Sequence, residues 1–151
     1  MNDSAIQTNF REVLEKDGVL VYSTQGISMR PMLVEGRDNV VIKKIDRKPV
    51  PNDVVFYKRD NGPYLLHRLI KVTKDGYIIR GDNCYANEYD IKDRHIFGIL
   101  EGYYKKDKYI DCKKSLGYKI YVQFNRRTYY LRIAKTRIIN FLSRVKHKLF
   151  K

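Results

Sequence analysis

The chain has 151 residues, 43% of them hydrophobic and 32% charged, which is typical of one folded domain with an appended element. Two cysteines are too few for a disulfide framework and lack the spacing of a zinc site. No stretch approaches the roughly 18–20 apolar residues of a transmembrane helix, and the N-terminus does not resemble a secretory signal. A reducing, cytoplasmic environment is therefore expected.

The positive charge is concentrated at one end of the chain. The formal net charge is +14. Residues 113–151 contain 12 Lys and Arg and no Asp or Glu, whereas residues 1–112 contain 19 basic and 17 acidic residues, a net of +2. The basic character therefore belongs to a tail and not to the domain that precedes it.

A helix and then a series of short strands are predicted before the tail. Apolar residues at helical spacing indicate an N-terminal helix within residues 1–18, which Asp17-Gly18 ends. Apolar runs predict strands at residues 19–25, 39–45, 54–58, 64–73, 77–80 and 96–103, with a short one at 109–110. Asn61-Gly62 and Asp75-Gly76 predict hairpin turns, and residues 81–94 are predicted to form a loop. Residues 19–112 are therefore expected to be a mainly β domain in an α+β chain.

The tail, residues 113–151, is predicted to be helical and amphipathic. Its apolar face follows steps of three and four residues, formed by Leu131, Ala134, Ile138, Phe141 or Leu142, Val145 and Leu149. Most of the basic residues fall on the other faces. One long helix or two helices broken near Asn125 fit this pattern equally well.

A serine stands in a turn-forming sequence, Gly26-Ile27-Ser28-Met29-Arg30-Pro31-Met32-Leu33. Pro31 has no backbone donor and biases the preceding residue away from helix, which places Ser28 at the end of a strand or in a tight turn. The apolar side chains of the segment can anchor the turn while the hydroxyl points outward. A serine held in this way suits a nucleophile if a base is within reach, although such an octapeptide alone more often marks an ordinary turn.

His67 lies in the predicted strand 64–73, and acidic residues follow it. A single histidine in a strand is usually structural, and the Asp82 of Gly81-Asp82-Asn83 is an ordinary turn residue. A serine, a histidine and an acid are nevertheless what nucleophilic acyl transfer needs. The imidazole takes the hydroxyl proton, the acid fixes the tautomer of the imidazole, and backbone amides hold the oxyanion. His95 and His147 are expected at the surface, and no cofactor or metal is expected.

Five motifs occur in an order that resembles the signal peptidase I superfamily of serine endopeptidases, which includes the self-cleaving repressor proteases. They are Gly26-Ile27-Ser28-Met29-Arg30-Pro31, Glu35-Gly36-Arg37-Asp38, Asn52-Asp53-Val54-Val55-Phe56, His67-Arg68-Leu69-Ile70, and Gly81-Asp82-Asn83 with a following Ile96-Phe97-Gly98-Ile99. The resemblance covers residues 19–103. It implies a coiled β-sheet fold of the signal-peptidase and repressor-autoprotease type, with Ser28 as the nucleophile.

The resemblance also implies roles for other residues. His67 takes the place of the general base, as in the archaeal and endoplasmic-reticulum signal peptidases. In these relatives the acid lies a few residues after the Gly-Asp-Asn motif, which favours Glu88, with Asp90 close behind and Asp82 as the other candidate. In the serine turn, Gly26, Met29 and Pro31 are expected to contact the substrate.

Three features depart from the common bacterial enzymes of this superfamily. The base is a histidine, which acts near neutral pH without the desolvation that a lysine requires. Gly26 stands where many relatives carry a hydroxyl that helps to bind the oxyanion, so the Ser28 amide, with Thr24 or Gln25 as a further donor, has to replace it. The membrane anchor is missing, as in a group of short, anchorless bacterial homologues.

The sequence therefore predicts a serine endopeptidase that cuts an extended peptide, such as a leader or precursor segment, through acylation of Ser28. One alternative is a catalytically weak or inactive binding module with the same fold. Another is a nucleic-acid-binding protein that acts through the basic tail. The tail itself is expected either to lie on an anionic membrane surface, at the inner face of the membrane, or to pack on the β domain.

Overall fold

The computed structural model describes the backbone of residues 3–149 and, within it, the side chains of residues 10–146. The chain divides into two compact units, Met1–Ser115 and Leu116–Lys151. The first unit contains an N-terminal helix together with the sheet, and the second is a single helix. The division falls close to the predicted start of the tail, and the N-terminal helix shares a unit with the sheet.

Helix α1 (Asp3–Asp17) precedes the strands, and helix α2 (Leu116–Leu149) follows them. The strands of the described chain are β1 (Val19–Ser23), β2 (Asp38–Lys44), β3 (Val54–Lys58), β4 (Tyr64–Thr73), β5 (Gly76–Arg80), β6 (Glu88–Ile91), β7 (Ile96–Lys105) and β8 (Lys108–Asp111), with a 3-10 turn at Asp93–His95. The predicted α+β class is confirmed, with one helix before the strands and one after them along the chain. The tail is one continuous helix, without the break near Asn125, and β6 lies in a segment that was predicted to be a loop.

The strands form one antiparallel sheet of eight strands in the order β1-β2-β7-β3-β4-β5-β6, and β8 pairs with β7 beside this path. Strand β7 organises the sheet because it pairs with β2 along one edge and with β3 and then β8 along the other. The Asn61-Gly62 turn joins β3 to β4, which pair from Val54 with Arg68 to Lys58 with Tyr64. This register places His67 opposite Val55.

Strand β3 is buried on both faces of the sheet. One face contributes to a core cluster formed by Val55, Tyr57, Leu69, Tyr77, Ile79, Ile91 and Ile96. On the other face, the Phe56 ring stacks on Tyr64 with centroids 5.1 Å apart and planes 7° apart. Residues on both faces are removed from water, which explains the continuous apolar run of this strand.

Helix α1 is attached to the sheet by an aromatic contact and by its C-terminal end. The Phe10 ring lies 5.3 Å from Tyr22 and 6.1 Å from Phe56. The helix ends where the sequence predicts, because Gly18 adopts a φ of +72° and its amide donates to the Leu14 carbonyl at 3.1 Å. The Glu15 carboxylate also pairs with the Lys44 ammonium.

The prediction that His95 lies at the surface is wrong. His95 closes the 3-10 turn and is buried, and its Nδ1 accepts a hydrogen bond from the Lys92 amide at 3.1 Å. The sequence prediction failed because the turn folds the imidazole back against its own backbone. The side chain of His147 lies outside the described residues. None of the helices in the described part of the chain has the length and apolar character needed to cross a membrane.

Candidate functional site

Ser28 lies in the turn that connects β1 to β2, and its side chain is half-buried. Met29, Met32 and Leu33 are buried and anchor the turn, as the sequence predicts. The Arg30 amide donates to the Ile27 carbonyl at 3.2 Å, and the Leu33 amide donates to the Met29 carbonyl at 3.0 Å. The serine is therefore held by buried neighbours on one side while it faces a cleft on the other.

The cleft beside Ser28 has a volume of about 190 Å³. Its wall is mainly aromatic and aliphatic, formed by Phe10, Tyr22, Met29, Leu33, Phe56, Pro63, Tyr64, Leu65 and Leu66, with Thr24, Gln25, Gly26 and Ser28 at the turn. Of the three residues expected to contact a substrate, Gly26 and Met29 line this cleft. Pro31 is exposed and is not part of its wall.

The loop after β5 holds the Ser28 turn in place. The Asn83 amide donates to the Ser28 carbonyl at 2.7 Å, and the Asn83 side-chain amide donates to the Ile27 carbonyl at 3.2 Å. Gly81 of the same loop lies so close to Ser28 that only glycine fits at this position. A methyl group there would come within 2.7 Å of the Ser28 carbonyl oxygen, 3.0 Å of Ser28 Cβ and 2.7 Å of Cys84 Sγ.

Gly81 also connects the serine turn to the strand that carries His67. Strands β4 and β5 pair Arg68 with Arg80, and His67 and Gly81 are the chain neighbours of this last pair. Ser28 contacts the backbone of Gly81. Gly81 therefore links Ser28, which it contacts, to the strand pair beside His67.

His67 is buried, with 7% of its surface exposed, and its two ring nitrogens have different surroundings. Nδ1 lies 2.6 Å from Glu88 Oε1, a distance typical of a charge-assisted hydrogen bond in which the imidazole donates. Nε2 is buried and has no hydrogen-bond partner among the described residues. In the neutral tautomer that Glu88 favours, Nε2 is a hydrogen-bond acceptor, as a general base must be. Nε2 and the Ser28 hydroxyl are not hydrogen-bonded to each other in this structure.

Glu88 has two further partners that the sequence analysis did not identify. The Tyr57 hydroxyl donates to the carboxylate, lying 2.8 Å from Oε1 and 2.9 Å from Oε2, and it is 3.1 Å from His67 Nδ1. Arg59 Nε is 3.6 Å from Oε2. Burial alone would raise the pKa of Glu88, but the hydrogen bonds from His67 and Tyr57 and the nearby positive charges lower it below its usual value. The carboxylate is therefore held in its ionised form.

A signal for Tyr57 exists in the sequence. Val55 pairs with His67, and Tyr57 lies two residues further along the same strand, so that the two side chains share one face of the sheet. Burial and the hydrogen bond to Glu88 raise the pKa of Tyr57, so its hydroxyl keeps the proton that it donates. No comparable pattern indicates Arg59, because its approach to Glu88 depends on where β6 lies.

Asp82 forms a buried ion pair with Arg68. Arg68 Nε donates to Oδ1 at 2.7 Å and its Nη2 donates to Oδ2 at 2.6 Å, and both side chains are at least 95% buried. The Asp82 amide also lies 3.5 Å from Met29 Sδ. Of the candidate acids, Asp82 therefore stabilises the loop against β4 and the serine turn, whereas Glu88 contacts His67. Asp90 is exposed, with a positive φ of 61°.

Thr24 and Gln25, which the sequence indicates as further donors to the oxyanion, differ in their surroundings. The Thr24 hydroxyl is buried and lies 3.1 Å from the Asp38 carbonyl and 3.3 Å from the Val34 carbonyl. Both neighbours are acceptors, so this hydroxyl donates away from the cleft. Gln25 is exposed at the cleft rim. Among the described residues, no group of three or more His, Cys, Asp and Glu side chains could hold a metal ion.

No family model matches the chain, and no curated protein matches it either.

Proposed function

We propose that the protein is a serine endopeptidase of the signal-peptidase type, with Ser28 as nucleophile, His67 as general base and Glu88 as the acid that orients His67. The observation that carries this proposal is the state of the buried imidazole. Glu88 binds one ring nitrogen, the other is an unpartnered acceptor, and Gly81, which follows the Arg68–Arg80 pair, lies against Ser28. His95 Nε2 is likewise buried without a hydrogen-bond partner among the described residues, so the feature that distinguishes His67 is the carboxylate bound to its other nitrogen.

In the proposed acylation step, Ser28 Oγ attacks the carbonyl carbon of the scissile peptide bond while His67 Nε2 takes the hydroxyl proton. This transfer requires Nε2 and Oγ to approach to hydrogen-bond distance, and catalytic hydrogen bonds often shorten only when the substrate is bound. The Ser28 amide donates to the oxyanion of the tetrahedral intermediate. His67 then gives the proton to the leaving amine, the C–N bond breaks, and the acyl group remains as an ester on Ser28.

In the deacylation step, water attacks the ester carbon and His67 takes its proton. The ester bond to Ser28 breaks, Ser28 Oγ recovers the proton from His67, and the second product leaves as a carboxylic acid. Glu88 stays ionised throughout because its pKa is lowered, and its charge stabilises the imidazolium in both steps. No cofactor or metal takes part in this scheme.

The surroundings of Ser28 favour an extended peptide with an apolar side chain as the substrate. Strand β1 is at one end of the sheet and pairs with β2 alone among the described strands. The chain passes directly from β1 into the serine turn. The other edge of β1 can accept a substrate as an added strand. The aromatic cleft beside Ser28 would then hold an apolar side chain of the substrate.

The order of the five sequence motifs supports the same proposal. The motifs lie in the serine turn, the turn that leads into β2, β3 with the residues before it, β4, the loop after β5 and the start of β7. Four of them are linked by contacts, because Arg68 bonds to the Asn52 carbonyl and to Asp82, and Gly81 lies against Ser28. From them we infer a coiled β fold like that of signal peptidases and repressor autoproteases.

The proposal is tested by incubating the protein with a library of peptides and identifying new termini by mass spectrometry. We expect cleavage next to an apolar side chain by wild-type protein and by Ser23→Ala, which removes an exposed serine of β1. Ser28→Ala is expected to abolish cleavage while leaving the melting temperature within about 2 °C, because a half-buried hydroxyl contributes little to packing. Peptides that bind in the cleft without being cut would favour the alternative of an inactive binding module.

A further inference from the structure

Helix α2 carries a strong positive charge without any acidic residue. Residues 113–151 contain 12 Lys and Arg and no Asp or Glu, and α2 continues from Leu116 to Leu149 without interruption. Basic residues in this segment therefore have no acidic neighbour in the helix with which to form the usual pairs three or four residues apart. Such a charge distribution needs an anionic partner to be neutralised.

The same helix exposes one continuous apolar face. Its members are Leu116, Ile120, Phe124, Leu131, Ile138, Leu142 and Val145, each between 37% and 70% exposed, while the exposed apolar residues Tyr130, Ile139 and Phe141 lie outside it. At about 100° per residue, their successive steps of four, four, seven, seven, four and three place all seven within an arc of roughly 80°. At about 1.5 Å per residue the face extends for roughly 44 Å. An exposed apolar stripe of this length is uncommon unless it binds something.

The charges are arranged around this face. On the same helical wheel, Lys119, Arg126, Arg137 and Arg144 fall along one border, and Lys135 and Lys146 fall along the other. Only Arg127 interrupts the face among the residues whose side chains are described. A long arginine can extend its charged end past its apolar neighbours to a polar boundary. An apolar stripe with Lys and Arg on both borders is the pattern of a helix that lies in a membrane interface.

We propose that α2 binds the surface of an anionic lipid bilayer, with its apolar face inserted among the acyl chains and its flanking Lys and Arg on lipid phosphates. This inference is independent of the proposed peptidase activity. A second copy of the helix is a poor alternative, because pairing the apolar faces would bring two strongly basic helices together. Nucleic acid would neutralise the charge but leave the apolar face in water.

Vesicle co-sedimentation of the full-length protein tests the proposal. The probes are vesicles of phosphatidylcholine alone and vesicles in which about one third of the lipid is phosphatidylglycerol. The variant Ile138→Asn removes a residue from the centre of the face. The matched control is Ile139→Asn, since Ile139 is the adjacent residue, is 53% exposed against 59% for Ile138, and lies about 100° away around the helix.

We expect the wild-type protein to bind the anionic vesicles at least about tenfold more tightly than the neutral ones, and higher salt to weaken this binding. Ile138→Asn should weaken binding about fivefold or more, since a polar side chain replaces an isoleucine that would be inserted in the bilayer. Ile139→Asn should stay within about twofold of wild type. Both substituted positions are exposed, so both variants are expected to keep the wild-type circular dichroism spectrum.

Three results would overturn the proposal. The first is equal binding to anionic and neutral vesicles, or none to either. The second is an equal loss from the two variants, because binding would then not depend on the apolar face. The third is binding to duplex DNA or single-stranded RNA that both variants retain, in a protein that does not sediment with vesicles, which would assign the tail to nucleic acid.

Discussion

Glu88 Oε1 lies 2.6 Å from His67 Nδ1, and this contact selects one acid among the three that the sequence left as candidates. The two residues come from strands that are not neighbours, since β5 lies between β4 and β6 in the sheet. Pairing of Ile79 with Glu88 brings β6 to the position at which its first side chain reaches the imidazole. The contact therefore depends on the strand that the sequence did not predict.

Replacing Glu88 by Ala is expected to impair acylation far more than replacing Asp90. Without the carboxylate, His67 loses the partner that fixes its tautomer, and the rate at which a fluorophosphonate probe labels Ser28 should fall about 100-fold or more. Asp90→Ala changes an exposed residue of the same strand and should stay within about twofold of wild type. The reverse order of the two variants would reassign the acid to Asp90.

Tyr57→Phe tests whether the tyrosine positions Glu88. The variant keeps the buried ring but removes the hydroxyl that donates to the carboxylate. We expect the maximal labelling rate to fall about tenfold with an unchanged half-saturating probe concentration, and the protein to lose about 1.5–3 kcal/mol of stability, as for a hydrogen bond to a charged group. Tyr89→Phe, at an exposed tyrosine, is the control. An unchanged labelling rate in Tyr57→Phe would limit the tyrosine to a packing role.

Gly81→Ala should damage the site through a steric clash. The added methyl group would come within 2.7 Å of the Ser28 carbonyl oxygen and Cys84 Sγ, so the serine turn or the loop after β5 has to move. At Gly62 the closest atom to such a methyl group is 3.7 Å away, which is an ordinary contact. Labelling of Ser28 is expected to fall at least about 100-fold in Gly81→Ala and to be nearly unchanged in Gly62→Ala. Equal labelling of the two variants would show that the close contact at Gly81 is not needed.

The Arg68–Asp82 ion pair should matter for stability, in contrast to a surface pair of the same residue types. Asp82→Ala leaves a buried guanidinium without its carboxylate, and a loss of about 3–5 kcal/mol is expected in urea denaturation. Asp60 pairs with Arg94 where both side chains are more than 60% exposed, and Asp60→Ala should cost far less stability than Asp82→Ala. Similar losses in the two variants would contradict a stabilising role for the buried pair.

Acid should weaken the contribution of Glu88 to stability. Its pKa is lower in the folded protein than its ordinary value of 4.5, so the ionised carboxylate stabilises the fold above about pH 4.5, and this stabilisation is lost as the pH falls through the folded pKa. Other carboxylates also have lowered pKa values, so the measurement is the difference in unfolding free energy between wild type and Glu88→Gln. This difference should shrink between pH 6 and pH 3, and a constant difference would contradict the lowered pKa.

Much of the fold follows from local sequence patterns. Strands β3 and β4 have their predicted bounds because a continuous apolar run and the Asn61-Gly62 turn define them without help from the rest of the chain. Strand β6 was missed because Glu88-Tyr89-Asp90-Ile91 is short, carries two acids and has one buried residue. Only its pairing with β5 makes it a strand, and that pairing is a tertiary contact.

The candidate site also has some features that follow from local sequence and others that depend on tertiary contacts. The turn chemistry around Ser28 and the position of His67 in a strand can be read from the sequence, because each depends on neighbouring residues. The partners of the acids cannot, because Asp82 and Glu88 both follow β5 and only the folded chain directs one to Arg68 and the other to His67. Arg59 joins the site for the same reason, because its contact with Glu88 depends on where β6 lies, whereas Tyr57 follows from its place on the same face of the sheet as His67.

Covalent labelling of the intact protein by a fluorophosphonate probe tests the central claim most directly. In this reaction Ser28 Oγ bonds to phosphorus, fluoride leaves, and His67 takes the hydroxyl proton, so the label needs both residues. We expect one phosphonyl group on the peptide that contains Ser28 in wild-type protein and in Ser23→Ala, and none in Ser28→Ala or His67→Ala. Labelling that persists in Ser28→Ala, or a wild-type protein that takes up no label, would contradict the assignment of Ser28 as the nucleophile.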